Sequence, residues 1–227
     1  MDPAADTAAQ PGATIIEAAT IVLLRDLGAG VECLMLQKTR GQSFGEHWVF
    51  PGGRVEPEDG EGPDGIRRAA VREAQEETGL VLDPAALVAF SHWVPPLDAP
   101  KRFSTWFFLA RLPDGADDVV IDGGEIGDQM WTTAAAALDR HGRGQAQLAP
   151  PTWVSLHWLT EAPTVEAALA KAEAGDVEHF STRMADDAGV LVALWAPDVG
   201  YEGGDLDADG PRHRLLMHRG PWVFERR

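Results

Sequence analysis

The sequence predicts an α+β protein in which helices flank a mixed β-sheet and a β-rich extension follows. Two apolar runs at residues 18–25 and 31–38, separated by the turn DLGAG, predict a pair of buried strands. The segment IRRAAVREAQEETGL at residues 66–80 is rich in helix formers. Asp64 is the expected N-cap of this helix, and Gly79 is its expected C-terminal stop. This order of elements favours a sheet covered by helices.

Short apolar runs and helical blocks continue through the rest of the chain. The predicted elements are strands at 86–94 and 102–110, a short strand within 119–131, helices at 132–142 and within 150–175, and strands within 190–197, 212–218 and 222–226. We therefore expect three parts: a flexible tail at residues 1–14, a folded domain at 15–175, and a β-rich extension at 176–227 that packs on the domain.

The composition indicates a globular protein with an acidic surface. Hydrophobic residues make up 44% of the chain, and the formal net charge is −17. This charge repels phosphate backbones and disfavours a nucleic-acid polymer as a partner. No apolar run approaches the roughly 18 residues of a membrane span, and the opening MDPAADTAAQPGAT does not resemble a signal peptide. Cys33 is the only cysteine, so no intrachain disulfide is possible. We expect a cytoplasmic protein without a membrane partner.

Three glutamates on the long predicted helix are the main candidates for a functional site. Glu73, Glu76 and Glu77 lie three and four residues apart, which places their side chains within roughly 100° of one another. Such carboxylates repel one another, and a hard divalent cation such as Mg²⁺ or Mn²⁺ would relieve the repulsion. A solvated acidic helix face is the alternative. The backbone-exposing turn at 50–53 and the neighbouring Arg72, which can orient carboxylates through forked hydrogen bonds, favour the metal site.

The segment at residues 53–80 resembles the Nudix box, whose pattern is G-x5-E-x7-R-E-U-x-E-E-x-G-U, with U an apolar residue. The second half matches without gaps in the run REAQEETGL, which begins at Arg72. In the first half, the expected glutamate falls at Asp59, and twelve residues rather than seven separate it from the arginine. Counting back from the arginine reaches Asp64 instead, but Glu58 then replaces the glycine. We prefer the first register, with a five-residue insertion in a loop that tolerates added length.

The resemblance implies the Nudix fold and hydrolysis of a nucleoside diphosphate linked to another group, with Mg²⁺ or Mn²⁺ as cofactor. It implies that Glu73, Glu76 and Glu77 hold the metal together with the carbonyl of Gly52. Arg72 would support the carboxylates rather than bind substrate.

The general base varies within the family that this box resembles. It is either a box glutamate, here Glu73, or an acid in a later loop, here Glu125 in the stretch DGGEIGD. An acidic surface turn is the alternative interpretation of the second residue. The sequence does not distinguish Glu73 from Glu125 as the base.

The substrate is suggested by a narrower resemblance. The stretches LAPP at 148–151 and RFSTWFF at 102–108, together with the enlarged box loop, are similar to the peroxisomal coenzyme A diphosphatase group. We expect coenzyme A or an acyl derivative as the first substrate, with ADP-ribose, nucleotide sugars and dinucleoside polyphosphates as alternatives. Arg40, Arg54 and Arg102 are candidates for substrate binding.

Two further expectations concern the kind of protein. A Nudix-fold module that binds a ligand without hydrolysing it is the alternative to an enzyme. The sequence does not define the oligomeric state; a homodimer is one possibility, because dimers are common in similar enzymes.

Overall fold

The computed structural model describes residues 15–28, 30–41, 45–99, 101–116, 119–121 and 123–227 of the chain. The tail expected at residues 1–14 lies outside the described residues. The strands are β1 (Ile15–Asp26), β2 (Val31–Lys38), β3 (Trp48–Val49), β4 (Gly52–Arg54), β5 (Val88–Val94), β6 (Arg102–Arg111), β7 (Ile126–Thr133), β8 (Glu178–Ser181), β9 (Arg183–Asp187), β10 (Val190–Leu194), β11 (His213–Met217) and β12 (Val223–Arg226). The α-helices are α1 (Gly62–Thr78), α2 (Ala134–Gly142), α3 (Pro150–Leu159), α4 (Val165–Ala174) and α5 (Gly200–Gly203).

Within the described residues, the main sheet has eight strands and a mixed direction. Its order is β3-β2-β1-β6-β5-β8, while β4 pairs with β1 and β7 pairs with β2. The pairs β1–β6 and β5–β8 are parallel, and the other pairs are antiparallel. Strands β9 to β12 form a second, antiparallel sheet. A mixed sheet with helices, followed by a β-rich segment, confirms the predicted fold class.

Helix α1 covers one face of the main sheet. Because side chains alternate along a strand, Ala19, Ile21 and Leu23 of β1 share one face. These residues belong to one hydrophobic cluster with the inner side of α1, which consists of Ile66, Ala69, Ala70 and Ala74. The three alanines let the helix backbone approach the sheet closely.

The opposite face of the sheet packs against α2, α3, α4 and the second sheet. Val22 and Leu24 of β1 lie in the same cluster as Trp153 of α3. Trp195, which follows β10 and is fully buried, belongs to this cluster as well. The C-terminal strands therefore share a core with the preceding elements. We keep residue 175 as a proposed boundary of the extension, although β8 beyond it is a strand of the main sheet.

Helix α1 starts earlier than the sequence predicts. It begins at Gly62 with Glu61 at the N-cap position, so Asp64 lies in the first turn and the predicted N-cap is wrong. Pro63 in the first turn explains the shift, because a proline needs no hydrogen-bond acceptor there. Gly79 ends the helix in the left-handed conformation, as predicted, and its N–H donates to Gln75 O at 2.9 Å.

The segment between β6 and α2 also differs from the prediction. Residues 119–121 do not form a strand, and β7 begins only at Ile126 and includes Trp131. None of the helices in the described part of the chain combines the length and apolar composition of a bilayer-spanning helix.

A buried ion pair fixes the second sheet. Arg214 of β11 donates from Nε and Nη2 to the two carboxylate oxygens of Asp198, at 2.7 and 2.6 Å. The backbone N–H groups of Gly200 and His213 donate to the same carboxylate, each at 2.8 Å. Burial alone would raise the pKa of Asp198, but these hydrogen bonds outweigh it and lower the pKa. The carboxylate is therefore stable in its charged form although it is inaccessible to solvent.

Removing one partner of this pair should destabilise the fold. We expect Asp198→Asn to lower the free energy of unfolding by about 3–5 kcal/mol at pH 7, because Arg214 would stay buried without a counter-charge. Urea unfolding of the full chain measures the loss. Since the folded pKa of Asp198 lies below the unfolded value of about 3.9, the contribution is present above that pH and is lost as the pH falls through the folded pKa. The difference between the two proteins should therefore shrink in acid.

Asp139→Asn is the matched control for this prediction. Asp139 pairs with Arg143 at 3.1 Å on the surface of α2, where both side chains are more than half exposed. We expect a change below about 0.5 kcal/mol. Equal losses in the two variants would contradict the role assigned to the buried pair.

Candidate active site

The turn before α1 brings the backbone of β4 against the helix. Gly52 and Gly53 pair with Thr20 and Ala19 of β1. A Cβ atom on Gly53 would overlap the carboxyl group of Glu73, and one on Gly52 would overlap the backbone of β1. The two glycines are therefore required for the helix carboxylate to lie directly on the turn.

Arg72 is the centre of the hydrogen-bond network beside this turn. Its Nε and Nη2 donate to the two carboxylate oxygens of Asp59 at 3.0 and 2.9 Å, and Nη2 also donates to Arg54 O at 2.9 Å. Its Nη1 donates to Glu73 Oε1 at 2.9 Å and reaches Glu76 at 3.3 Å. The guanidinium thus ties the turn, the acidic loop and the helix together through forked geometry.

Asp59 is the acid that holds Arg72 in place. It is buried, and the hydrogen bonds from Arg72 lower its pKa despite that burial. Asp64, the alternative acid in the sequence register, lies exposed in the first turn of the helix. The contacts therefore agree with the register that places Asp59 in the box and the insertion after it.

Glu77 lies on the inner side of the helix and is buried. The N–H of Gly52 donates to its Oε2 at 2.9 Å, and Lys38 Nζ donates to its Oε1 at 2.6 Å. Burial raises the pKa of Glu77, and the charge of Lys38 partly offsets this effect. Burial alone would lower the pKa of Lys38, but the neighbouring carboxylates outweigh it and raise the pKa. The lysine is therefore a fixed cation at the site.

Lys38 also connects Glu125 to the carboxylates of the helix. Its Nζ lies 3.5 Å from Glu125 Oε2, and the N–H of Thr39 donates to Glu125 O at 2.9 Å. The Glu125 side chain is 57% exposed, so it has room to move toward a substrate. Sequence reasoning missed Lys38, since a lysine at the end of a strand carries no distinguishing signal.

The three helix glutamates do not converge on one point. Glu73 and Glu76 face Arg72, whereas Glu77 faces Lys38. Within the described ranges, no group of three or more Asp, Glu, His or Cys side chains is arranged to hold a metal ion. Burial raises the pKa of Glu73, and hydrogen bonding to Arg72 opposes the rise.

The donor set is nevertheless suited to a hard cation. It consists of carboxylate and carbonyl oxygens, which Mg²⁺ and Mn²⁺ prefer. The space above Gly53, which a Cβ atom would fill, holds the Glu73 carboxylate against the turn. The Glu76 side chain is 59% exposed and can turn toward a cation at this position. The residues present therefore fit a divalent metal.

The three arginines proposed for substrate binding differ in their surroundings. Arg40 and Arg54 are exposed and pair with Glu46 and Glu56, at 2.8 and 3.0 Å. Arg102, at the start of β6, is buried, and its Nε has no hydrogen-bond partner among the described groups. In the part of the chain that the structure describes, none of these three side chains contacts the box carboxylates. Their role in substrate binding stays a prediction.

Comparison with known proteins places this arrangement in a family. The family model described as NUDIX domain matches residues 15–152. The crystal structure of a NUDIX hydrolase from Alicyclobacillus acidocaldarius is 23% identical, with a TM-score of 0.64, and the match covers 70% of this chain and 96% of that chain. No curated protein matches the sequence.

Two further solved structures share the fold. The MutT protein from Methanosarcina mazei Go1 is 19% identical, with a TM-score of 0.52, over 67% of this chain and 97% of that chain. The NUDIX domain of Shewanella oneidensis NrtR, complexed with ADP ribose, is 18% identical, with a TM-score of 0.52, over 65% of this chain and 88% of that chain. The family match covers more than half of the chain and contains the whole of α1, the helix that carries the three glutamates and that we call the carboxylate helix. The protein therefore belongs to the Nudix hydrolase family.

Proposed function

We propose that this Nudix hydrolase cleaves the diphosphate linkage of a nucleoside diphosphate derivative with the help of Mg²⁺ or Mn²⁺. The observation that carries the proposal is the arrangement of Glu73 and Glu76 around Arg72, directly on the Gly52-Gly53 turn. Protein groups already fix the two cations of this network, Arg72 and Lys38. Its charged groups are therefore preorganised for a charged substrate.

The residues of the site have different roles in the proposed reaction. Glu73, Glu76 and Glu77, with the carbonyl of Gly52, would hold the divalent cation. Bound there, this cation supplies neutralisation of the diphosphate charge and a lowered pKa of the attacking water. Arg72 keeps the carboxylates oriented.

The acceptor of the proton from the attacking water is either Glu73 or Glu125. Glu73 lies on the turn itself, and Glu125 reaches the site through Lys38. Glu125→Gln separates the two assignments. A fall in kcat of at least about 100-fold assigns the base to Glu125, and a change below about tenfold assigns it to Glu73.

Coenzyme A or an acyl derivative is our first candidate substrate. The support is the resemblance of residues 102–108 and 148–151, and of the enlarged box loop, to coenzyme A diphosphatases. ADP-ribose, nucleotide sugars and dinucleoside polyphosphates are the alternatives. A cytoplasmic location and a homodimer complete the proposal, and light scattering of the purified chain measures the oligomeric state.

A substrate panel tests the proposal directly. The full chain is incubated with Mg²⁺ or Mn²⁺ and with coenzyme A, acetyl-coenzyme A, ADP-ribose, a nucleotide sugar or a diadenosine polyphosphate, and nucleotide products are separated by chromatography. Turnover of coenzyme A above the other compounds is the expected result. Failure to hydrolyse any compound, while metal binds normally, would favour a ligand-binding module without catalysis.

Neutralising the helix carboxylates should reduce turnover. We expect Glu76→Gln and Glu77→Gln each to lower kcat by at least about 100-fold, because each removes an anionic oxygen donor for the cation. Glu58→Gln is the matched control, since Glu58 is an exposed acid in the short 3-10 helix Pro57–Asp59 before α1. Circular dichroism verifies folding. Near-normal rates in both helix variants would refute the metal assignment.

Asp59 should act as a positioning residue through Arg72. We expect Asp59→Asn to lower kcat about 10–100-fold and to weaken Mg²⁺ binding, because the guanidinium loses the carboxylate that fixes it. Asp64→Asn removes the same charge from the exposed acid of the alternative register and should leave both quantities unchanged. The opposite pattern, with only Asp64→Asn impaired, would exclude the assigned register. The dependence of the hydrolysis rate on the Mg²⁺ concentration measures both kcat and the affinity for Mg²⁺.

A further inference from the structure

Three rings from three strands form a contiguous row on the main sheet. The imidazole of His92 on β5 stacks on Trp106 of β6, with ring centroids 4.5 Å apart and an interplanar angle of 27°. His179 of β8 contacts both rings edge-on, at centroid distances of 5.3 and 6.0 Å. We call these three residues the ring platform.

The register of the sheet places the ring platform on the catalytic face. Gly53 pairs with Ala19, Ala19 with Trp106, Trp106 with His92, and His92 with His179. Residues paired in this way point to the same face of a sheet. The Cβ direction of Gly53 leads to the carboxylate of Glu73. The platform and the carboxylate helix therefore lie on one side of the sheet.

The separation of the platform from the carboxylates is also defined by the strands. Neighbouring strands are about 4.8 Å apart, so Trp106 lies about 10 Å from Gly53, and His179 about 19 Å. His92 covers one face of Trp106, so a base joined through ribose to a phosphate at the turn would stack on the other face of Trp106, at the near end of the platform. His179, at the far end, contacts Trp106 edge-on and supports this ring.

The rings are held in place but are not part of a closed core. His92 Nε2 forms a hydrogen bond with Ser104 Oγ at 2.8 Å, and its Nδ1 lies 3.2 Å from Nδ1 of His179. His92 and Trp106 are half-buried, and His179 is exposed. The aromatic cluster on the opposite face differs, since Trp93 there is 3% exposed and serves packing.

We infer that the ring platform binds the aromatic base of the nucleotide substrate by stacking. This inference rests on the proposed function and names the part of the substrate that the sheet recognises. Flat, oriented rings favour a flat aromatic group, and stacking tolerates different bases. His179 lies beyond residue 152, where the family match ends, so the C-terminal segment completes the base site.

Binding of AMP and of ribose 5-phosphate to the full chain tests this inference without hydrolysis. The two probes share the ribose and the phosphate, and a hydroxyl in ribose 5-phosphate replaces the base of AMP. Ligand-observed NMR titration measures each dissociation constant. We expect AMP to bind about tenfold more tightly than ribose 5-phosphate, and Trp106→Leu to abolish the difference. Trp106→Phe, which keeps an aromatic ring, should retain most of it. For any compound that the chain hydrolyses, Trp106→Leu should raise KM about tenfold and change kcat little.

Trp131→Leu is the matched control for this experiment. Trp131 is a half-buried tryptophan of β7 and lies outside the platform. Like Trp106, it packs against the hydrophobic cluster that includes the inner side of α1. The Trp131→Leu variant should leave the AMP preference unchanged. Should Trp106→Leu fail to fold, His179→Ala removes an exposed ring of the platform and should weaken AMP binding at least about twofold.

Two outcomes would overturn the inference. One is equal affinity of the wild-type protein for AMP and ribose 5-phosphate, including absence of binding by both. The other is an unchanged AMP preference in folded Trp106→Leu or His179→Ala protein. Because the probes report binding alone, an AMP preference that depends on Trp106 would support the base site even if the substrate panel found no hydrolysis.

Discussion

The negative charge concentrated on α1 is the constraint on which the rest of the site depends. Three glutamates within five residues repel one another, and cations fixed nearby reduce this repulsion. Arg72 meets two of these carboxylates, and Lys38 meets the buried third one. Both cations are in turn held by groups outside the helix, among them Asp59 and Glu125. The charges of this helix are therefore held by three segments outside it, which carry Lys38, Asp59 and Glu125.

The carboxylate helix could be predicted from the sequence because its determinants are local. Helix formers, the spacing of the glutamates and the stop at Gly79 all lie within one segment. The predicted N-cap at Asp64 failed because the proline before it allows an earlier start. Lys38 could not be identified, since its contact with Glu77 joins residues 39 positions apart. Sequence spacing carries no information about such a pair.

The pairing partners of the C-terminal strands could not be predicted from the sequence either. Their apolar runs indicate strands, but a run does not specify its partner. β8 pairs in parallel with β5, with His92 opposite His179. β9 to β12 form a separate sheet instead. The segment expected to pack on the domain thus contributes both a strand to the main sheet and side chains to the core on one of its faces.

The parallel pairing of β5 and β8 has a consequence for the solubility of the chain. On the face opposite α1, Trp93 stacks on Phe180 of β8 at a ring-centroid distance of 3.8 Å. A fragment limited to residues 15–152 would lack β8. Trp93 would then lose its stacking partner Phe180, and β5 would become an unpaired edge strand. Unprotected edges beside apolar rings recruit strands from other molecules. Such a fragment should therefore self-associate at concentrations where the full chain stays dispersed, a difference that light scattering detects.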